Sequence, residues 1–337
     1  MKTGMNVAVV GATGAVGEAM LGILEQRQFP INNIYPLASS RSAGNSVVFN
    51  SRSLEVGRLD EFDFSTVNLS LFSAGGSVSA EYAPKALAAG CIVVDNTSYF
   101  RNDPEIPLIV PEVNLHALDQ HQGIIANPNC STIQMVVALK PIYDAVGIRR
   151  INVATYQAVS GAGRRAIEEL AGQTAALLNG KKPIIDVMPK QIAFNVIPEI
   201  DSFQDNGYTR EEMKIVWETR KIFEDETLMI NPTTVRVPVF YGHSEAVHLE
   251  TRDAVTAAEV RLLLSVAPGV TVIDDHIPGG YPTAVTEAAK QDGVFVGRIR
   301  KDISCDRGIN LWIVSDNVRK GAALNSIQIS EALLDRM

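Results

Sequence analysis

From Asn6 to about residue 130, short apolar runs alternate with stretches whose apolar residues recur at helical spacing. Asn6–Val10, Asn33–Ala38, Leu69–Ser73, Ile92–Asp95 and Leu108–Val110 have the length and apolar character of buried strands. Ala15–Gln26 carries Val16, Met20, Leu21 and Leu24 on one helical face, and Ala80–Ala89 reads as another helix. Strands alternating with helices imply βαβ units and a parallel sheet.

From Arg149 the rhythm changes. Ile151–Ala158, Thr234–Val239, Glu245–Thr251, Val294–Arg300 and Asn310–Ser315 read as longer strands, with helices over Arg164–Leu178, Arg210–Phe223 and Ala257–Ser265. Long strands with helices set between them suggest an α+β region with a mixed sheet. A last helical pattern, Gly321–Leu334, is placed to return to the first region.

Bulk properties narrow the classes. A chain of 337 residues with 46% apolar content has material for two packed cores. A net charge of −8 argues against a general nucleic-acid binder but leaves room for a local basic pocket. The three cysteines, Cys91, Cys130 and Cys305, form neither a disulfide framework nor a zinc spacing, which fits a reducing compartment. The N-terminal apolar stretch is broken by Gly11, Gly14 and Gly17, unlike a signal peptide. The uncharged run Gln122–Leu139 is too polar to span a bilayer. Cytoplasmic residence is expected.

Gly11-Ala12-Thr13-Gly14-Ala15-Val16-Gly17 lies between a predicted strand and a predicted helix. Glycines there allow a tight turn and close approach to phosphate, and the helix start supplies N–H donors. The spacing is GxxGxxG, and its alternative reading is a ligand-free βα turn. The end of the second strand reads Ser39-Ser40-Arg41-Ser42-Ala43-Gly44, with no carboxylate, one cation and three hydroxyls. That set suits the 2′-phosphate of NADP better than the bare ribose of NAD. The strand-end loops at Ser73–Gly76 and Asp95–Ser98 are further cofactor candidates.

Asn127-Pro128-Asn129-Cys130-Ser131-Thr132 puts a thiol at the head of an apolar helical run. The positive end of a helix favours the thiolate. A thiolate beside a nicotinamide cofactor suggests attack on an aldehyde, loss of hydride and a thioester. Among the five histidines, His243 sits in a turn between predicted strands and is the best partner for the thiol. His248 lies in a strand, His116 and His121 flank a polar segment, and His276 lies in a Pro/Gly-rich loop; structural roles suit these four. Arg101 and Arg236 are candidate anion holders.

Over essentially its whole length the chain resembles aspartate-semialdehyde dehydrogenases. The blocks GATGAVG, SSRSAG, VDNTSYFR, PNCST, YQAVSGAG, RVPVFYGHSE and DNVRKGAALN occur in the family's order. The resemblance implies a Rossmann-type doubly wound NADP domain over 1–132 and 317–337, with an inserted α+β catalytic and dimerisation domain over 133–316. It implies Cys130 as nucleophile, His243 as general base and Gln157 as a substrate-positioning group. It further implies Arg236 for the substrate carboxylate, Arg101 and Lys214 for phosphate, and Glu211 for the amino group. Backbone N–H groups at Asn129 and Cys130 would hold the oxyanion. The turn Gly11, Thr13, Gly14, Ala15, Val16 and Gly17, with Ser39, Arg41, Ser42, Ser73, Ser160, Gly161 and Asn317, would contact NADP(H). No metal is implied. The segments Ile230–Thr234 and Pro198–Asp201 depart from the family's pattern, near the expected substrate wall or dimer contact.

The implied reaction is NADPH-dependent reductive dephosphorylation of L-aspartyl-4-phosphate to the semialdehyde, in synthesis of the aspartate-derived amino acids, by a homodimer. Two alternatives differ in kind: an N-acetylglutamyl-phosphate-reductase-like enzyme, and a catalytically silent NADP-binding paralogue acting through partners.

Overall fold

The computed structural model describes residues 4–336, which fall into two compact units. The first comprises the chain up to Pro128 and again from Ala322; the second is Asn129–Gly321.

The first unit opens with β1 (Met5–Val10), α1 (Ala15–Gln26) and β2 (Ile31–Ala38). A hairpin of β3 (Ser46–Phe49) and β4 (Arg52–Glu55) leads to the short β5 (Gly57–Arg58). Then follow β6 (Leu69–Phe72), α2 (Gly76–Ala88), β7 (Ile92–Asp95), the short α3 (Pro111–Asn114) and β8 (Ile124–Ala126). The sheet order is β5-β2-β1-β6-β7-β8, and every pairing is parallel. Because the chain leaves β1 first for β2 and later for β6, a topological switch point lies between β1 and β6. In open α/β sheets ligands bind there, at the carboxyl ends of the strands. Both faces of such a sheet are covered, so its strands are nearly all apolar. Val7, Val9, Leu69, Leu71 and Val94 join Met20, Leu21, Ile23 and Leu24 of α1 in one core. The final helix, α8 (Leu324–Leu334), completes it with Leu324, Ile327, Ile329 and Leu333.

The second unit begins with α4 (Cys130–Val146) and β9 (Ile148–Gln157), then α5 (Arg164–Leu178), α6 (Arg210–Phe223) and β10 (Met229–Arg236). It continues with β11 (His243–Thr251), α7 (Ala257–Ser265), β12 (Val270–Val272), β13 (Val294–Lys301) and β14 (Gly308–Ser315). Its sheet, β10-β9-β11-β14-β13-β12, is mixed, with parallel edge pairs around an antiparallel centre. Helix α4 packs on β9, β11, β13 and β14 and against α6 and α7. The fold is therefore the expected α/β class, a parallel sheet and a mixed sheet in separate units.

Three expectations need correction. Leu108–Val110 is not a strand; only Leu108 bridges, to Ala126. The Asn114 side chain accepts from Val110 N and donates to Leu108 O, both at 2.9 Å, taking backbone groups that a ladder needs. The strand expected over Thr234–Val239 runs instead over Met229–Arg236 and ends before Pro238. The last α-helix starts at Leu324 rather than Gly321, after a π-turn over Arg319–Ala323.

Candidate active site

In the first unit the glycine turn has the geometry its sequence suggested. Gly11 takes φ +87°, a region that a side chain rarely enters. A Cβ on Gly11 would also come within 3.0 Å of Ser73 and Ala74 backbone atoms, so the ends of β1 and β6 nearly touch. A Cβ on Gly17 would meet Gly11 O at 2.2 Å, which fixes glycine for close helix–strand packing. Gly14 caps α1 without any side-chain hydrogen bond, and Ala15 and Val16 form its first turn. The helix start thus presents backbone N–H groups that its cap residue leaves unbonded. Thr13 is partly exposed beside this turn. Ser39, exposed, and Ser42, partly exposed, form a turn closed by Ser42 N donating to Ser39 O at 2.9 Å, with exposed Arg41 inside it. Ser73 Oγ donates to Val10 O at 3.2 Å. Arg101 also belongs to this unit. It is nearly buried and donates through Nη2 to Asn96 O at 2.9 Å, and its charge bears on the buried Asp95.

The second unit gathers the reactive groups. Cys130, partly exposed, is the first residue of α4. Asn129 is the cap; its Oδ1 accepts from Ser131 N at 3.0 Å and Thr132 N at 3.4 Å. An Asn cap of this kind is worth about 1 kcal/mol over alanine. The Asn129 N–H, expected to help hold an oxyanion, instead donates to Glu218 Oε2 at 2.6 Å. Its Nδ2 donates to Glu211 Oε1 at 2.9 Å. Every polar group of the Asn129 side chain is thus engaged in shaping the helix start. A Cβ on Gly321 would lie 2.8 Å from Cys130 Cβ, so only a glycine at 321 leaves room for the start of α4 at Cys130.

Glu211 is the hub. Its Oε1 also accepts from Gln157 Nε2 at 3.0 Å, and Lys214 Nζ lies 3.0 Å from its Oε2. Thr155 Oγ1 in turn donates to Gln157 Oε1 at 3.2 Å, which fixes the amide's orientation. Burial opposes the Glu211 charge. The Lys214 ammonium and the bonds from Gln157, Asn129 and Lys214 outweigh it and hold the carboxyl at about 2. Lys214 also pairs with Asp201 Oδ2 at 2.7 Å, which ties the Pro198–Asp201 segment to Lys214.

Gln157 and Arg236 are register partners at the ends of β9 and β10. Arg236 Nη1 donates to Ala158 O at 2.8 Å. The same Ala158 donates its N–H to His243 Nδ1 at 3.0 Å. A backbone N–H is always a donor, so Nδ1 must accept and the neutral imidazole carries its proton on Nε2. Burial, reinforced by Arg236, lowers the His243 pKa to about 3, so the ring is neutral around pH 7. Its Nε2 is buried with no partner among the described residues. A Cβ on Gly161 would lie 2.9 Å from Arg236 Nη1 and 3.4 Å from His243 Nε2. Arg236 also feels the charge of Cys130, so thiol, guanidinium and imidazole share one neighbourhood. Asn317 Oδ1 accepts from Gly242 N at 2.9 Å, and its Nδ2 donates to Ser160 Oγ at 3.0 Å.

Of the sequence candidates, Cys130, Asn129, Gln157, Ser160, Gly161, Glu211, Lys214, Arg236, His243 and Asn317 lie in the second unit, and Arg101 and the glycine turn in the first. Sequence reasoning missed Glu218 and Gly321, and it marked Asp201 only as the end of the Pro198–Asp201 segment, without its pairing to Lys214. Gly321 lay inside a recognisable block, DNVRKGAALN; Glu218 looks like an ordinary surface residue.

The site fits what the chain resembles. Residues 6–121 match the family model described as semialdehyde dehydrogenase, NAD binding domain, and residues 139–320 match its dimerisation domain. An aspartate-semialdehyde dehydrogenase of Legionella pneumophila is 64% identical over 99% of this chain and 96% of its own. A crystal structure of aspartate semialdehyde dehydrogenase II from Vibrio cholerae, complexed with ASA, is 57% identical, covers 99% of each chain and superposes with TM-score 0.97. The aspartate semialdehyde dehydrogenase from Candida albicans, solved with NADP, is 25% identical over 98% of each chain, with TM-score 0.76. The chain belongs to the aspartate-semialdehyde dehydrogenase family.

Proposed function

We propose that the chain interconverts L-aspartyl-4-phosphate and L-aspartate-4-semialdehyde, reversibly and with NADP(H), through a thioester on Cys130. The observation that carries this reading is the placement of Cys130 at the first position of α4, in the field of Arg236. Both favour the thiolate. The relatives support the aspartyl reaction rather than the N-acetylglutamyl or silent alternatives.

NADP(H) suits the first unit. The close approach at Gly11 and Gly17, the uncapped start of α1 and the cation Arg41 fit a dinucleotide with an extra phosphate. Gly11, Thr13, Gly14, Ala15, Val16 and Gly17 would hold its diphosphate, and Ser39, Arg41 and Ser42 its 2′-phosphate. The chemistry NADP(H) supplies when bound is hydride donation in one direction and acceptance in the other.

The protein's own work is acyl transfer. In the biosynthetic direction the Cys130 thiolate adds to the acyl-phosphate carbon. A C–S bond forms and the carbonyl electron pair moves onto oxygen. That oxyanion collapses, the C–O bond to phosphate breaks, and a thioester remains. These steps need no net proton transfer. His243, with its proton on Nε2, therefore serves as a hydrogen-bond donor to the oxyanion, in place of the general base expected from sequence. Arg236 receives the α-carboxylate and Glu211 the amino group. Arg101 and Lys214 are the cations for phosphate, which would compete with Glu211 and Asp201 for the Lys214 ammonium. The chain works as a homodimer in the cytoplasm, supported by the dimerisation-domain match and the sparse cysteines.

The test is NADPH formation from aspartate semialdehyde, phosphate and NADP, with Cys130→Ala in parallel. Phosphate-dependent activity absent from the variant is the expected result. A wild type that binds NADPH but turns nothing over would end this reading.

A further inference from the structure

Beneath the reactive groups lie two buried polar side chains that the reaction does not use. Gln134 is one helical turn beyond Cys130 on α4, and Glu245 is two residues beyond His243 on the same face of β11. Both are wholly inaccessible to solvent. They lie against each other. Neither amide atom of Gln134 nor either oxygen of Glu245 makes a hydrogen bond of ordinary geometry to any described residue, each other included. Directly across the strands from Glu245 stand Thr155 and Ile313, neither of them charged.

Elementary donor counting decides what this pair is. An ionised carboxylate only accepts, so it could satisfy the Gln134 N–H but would leave Gln134 Oε1 without a donor. It would also place an uncompensated charge in the core. A protonated carboxyl offers one donor and one acceptor, the complement of a carboxamide. All four orphaned atoms are then matched. Burial acts in the same sense, pushing the Glu245 carboxyl well above the usual carboxylate range.

We propose that protonated Glu245 and Gln134 form a reciprocal acid–amide pair that locks the Cys130 helix onto the His243 strand, making Glu245 a positioning residue for the thiol and imidazole. The proposal rests on the reading of Cys130 and His243 given above. It explains why an acid sits where an aliphatic residue would pack: the pair has a direction and a length, so it fixes the register of α4 along β11.

Three measurements test it. Isotope-edited infrared spectroscopy of the wild type at pH 7 shows a protonated-carboxyl C=O band that Glu245→Gln removes; a wild type without that band overturns the proposal whatever its activity. Glu245→Gln, which can form an amide–amide pair, keeps kcat within a few-fold. Glu245→Leu and Gln134→Leu each lower kcat and the alkylation rate of Cys130 about 10- to 100-fold, with KM for semialdehyde nearly unchanged, as a small misplacement of reacting groups does. A folded Glu245→Leu or Gln134→Leu enzyme with wild-type kcat and alkylation rate also overturns it. Should Cys130→Ala keep phosphate-dependent activity, the catalytic reading fails instead, and the infrared result stands apart from it.

Discussion

The N–H of Ala158 points at Nδ1 of His243 across 3.0 Å, and that bond decides which ring nitrogen carries the proton. A neutral ring held in this tautomer offers Nε2–H as a donor. Removing a single donor to an oxyanion costs about 10²–10³ in kcat. His243→Ala is expected to lose activity in that range. His243→Gln, whose amide can donate from a similar reach, should recover about tenfold of it by the same reasoning. Equal kcat values for the two variants would sink the donor role.

Glu211 gives a pH signature. Its carboxyl is held at about 2 in the folded protein, against an ordinary value of 4.5. Its contribution to stability is therefore complete above the unfolded value and fades as pH falls from about 4.5 through about 2. The shift corresponds to stabilisation on the order of 3 kcal/mol at neutral pH. His243 acts in the same sense, since the unfolded ring takes up a proton below about 6.5 that the folded ring refuses until about 3. Urea unfolding of wild type and Glu211→Gln should show a gap at pH 7 that narrows toward pH 3. A gap that stays constant over that range would show that the Glu211 charge is not what the network stabilises.

Gly161 separates binding from folding. A methyl group there meets Arg236 Nη1 at 2.9 Å, the far end of a flexible side chain. Gly161→Ala should displace the guanidinium and raise KM for the semialdehyde about tenfold, equivalent to about 1.4 kcal/mol of lost binding. Thermal stability should move little. An unchanged KM would remove Arg236 from the substrate site.

Gly17 is the opposite case. There the methyl group would lie 2.2 Å from Gly11 O and 2.8 Å from Ala12 Cα, both backbone atoms. Gly17→Ala must therefore move α1 away from β1. NADP affinity should fall at least tenfold and the thermal midpoint should drop by several degrees. Calorimetry of NADP titrations reads the first effect and a melting scan the second; wild-type values in both would refute the packing argument.

What the sequence revealed depended on how local the cause was. Helix α1 begins at Ala15 and α5 runs over Arg164–Leu178, as read, because a glycine turn and an amphipathic pattern are local signals. The hairpin of β3 and β4 escaped notice because its turn is Asn50-Ser51. Both residues take positive φ, 49° and 58°, without the glycine that usually marks such a turn. Leu108–Val110 looked like a strand because nothing nearby shows that Asn114 captures its backbone groups. Cys130 and His243 could be singled out as candidates from residue type and setting, but the ring tautomer that the Ala158 N–H imposes on His243 could not. The supporting shell was not legible: Glu218 reaches Asn129 from 89 positions away and Glu211 from 82, and only the fold brings them there.

Asn129 shows how two demands can leave one answer. As a helix cap, position 129 would accept Asp, Ser or Thr nearly as well. As a neighbour of Glu211 and Glu218 it would not. An aspartate would satisfy α4 yet set a third carboxylate beside two others. A serine would satisfy α4 yet leave Glu211 short of a donor. Only a side chain that accepts at one end and donates at the other serves the helix and the acid together. Substitutions harmless by helix-cap preference alone would therefore disturb the charge balance around the thiol, and tolerance at this position is set by an acid 82 residues further along the chain.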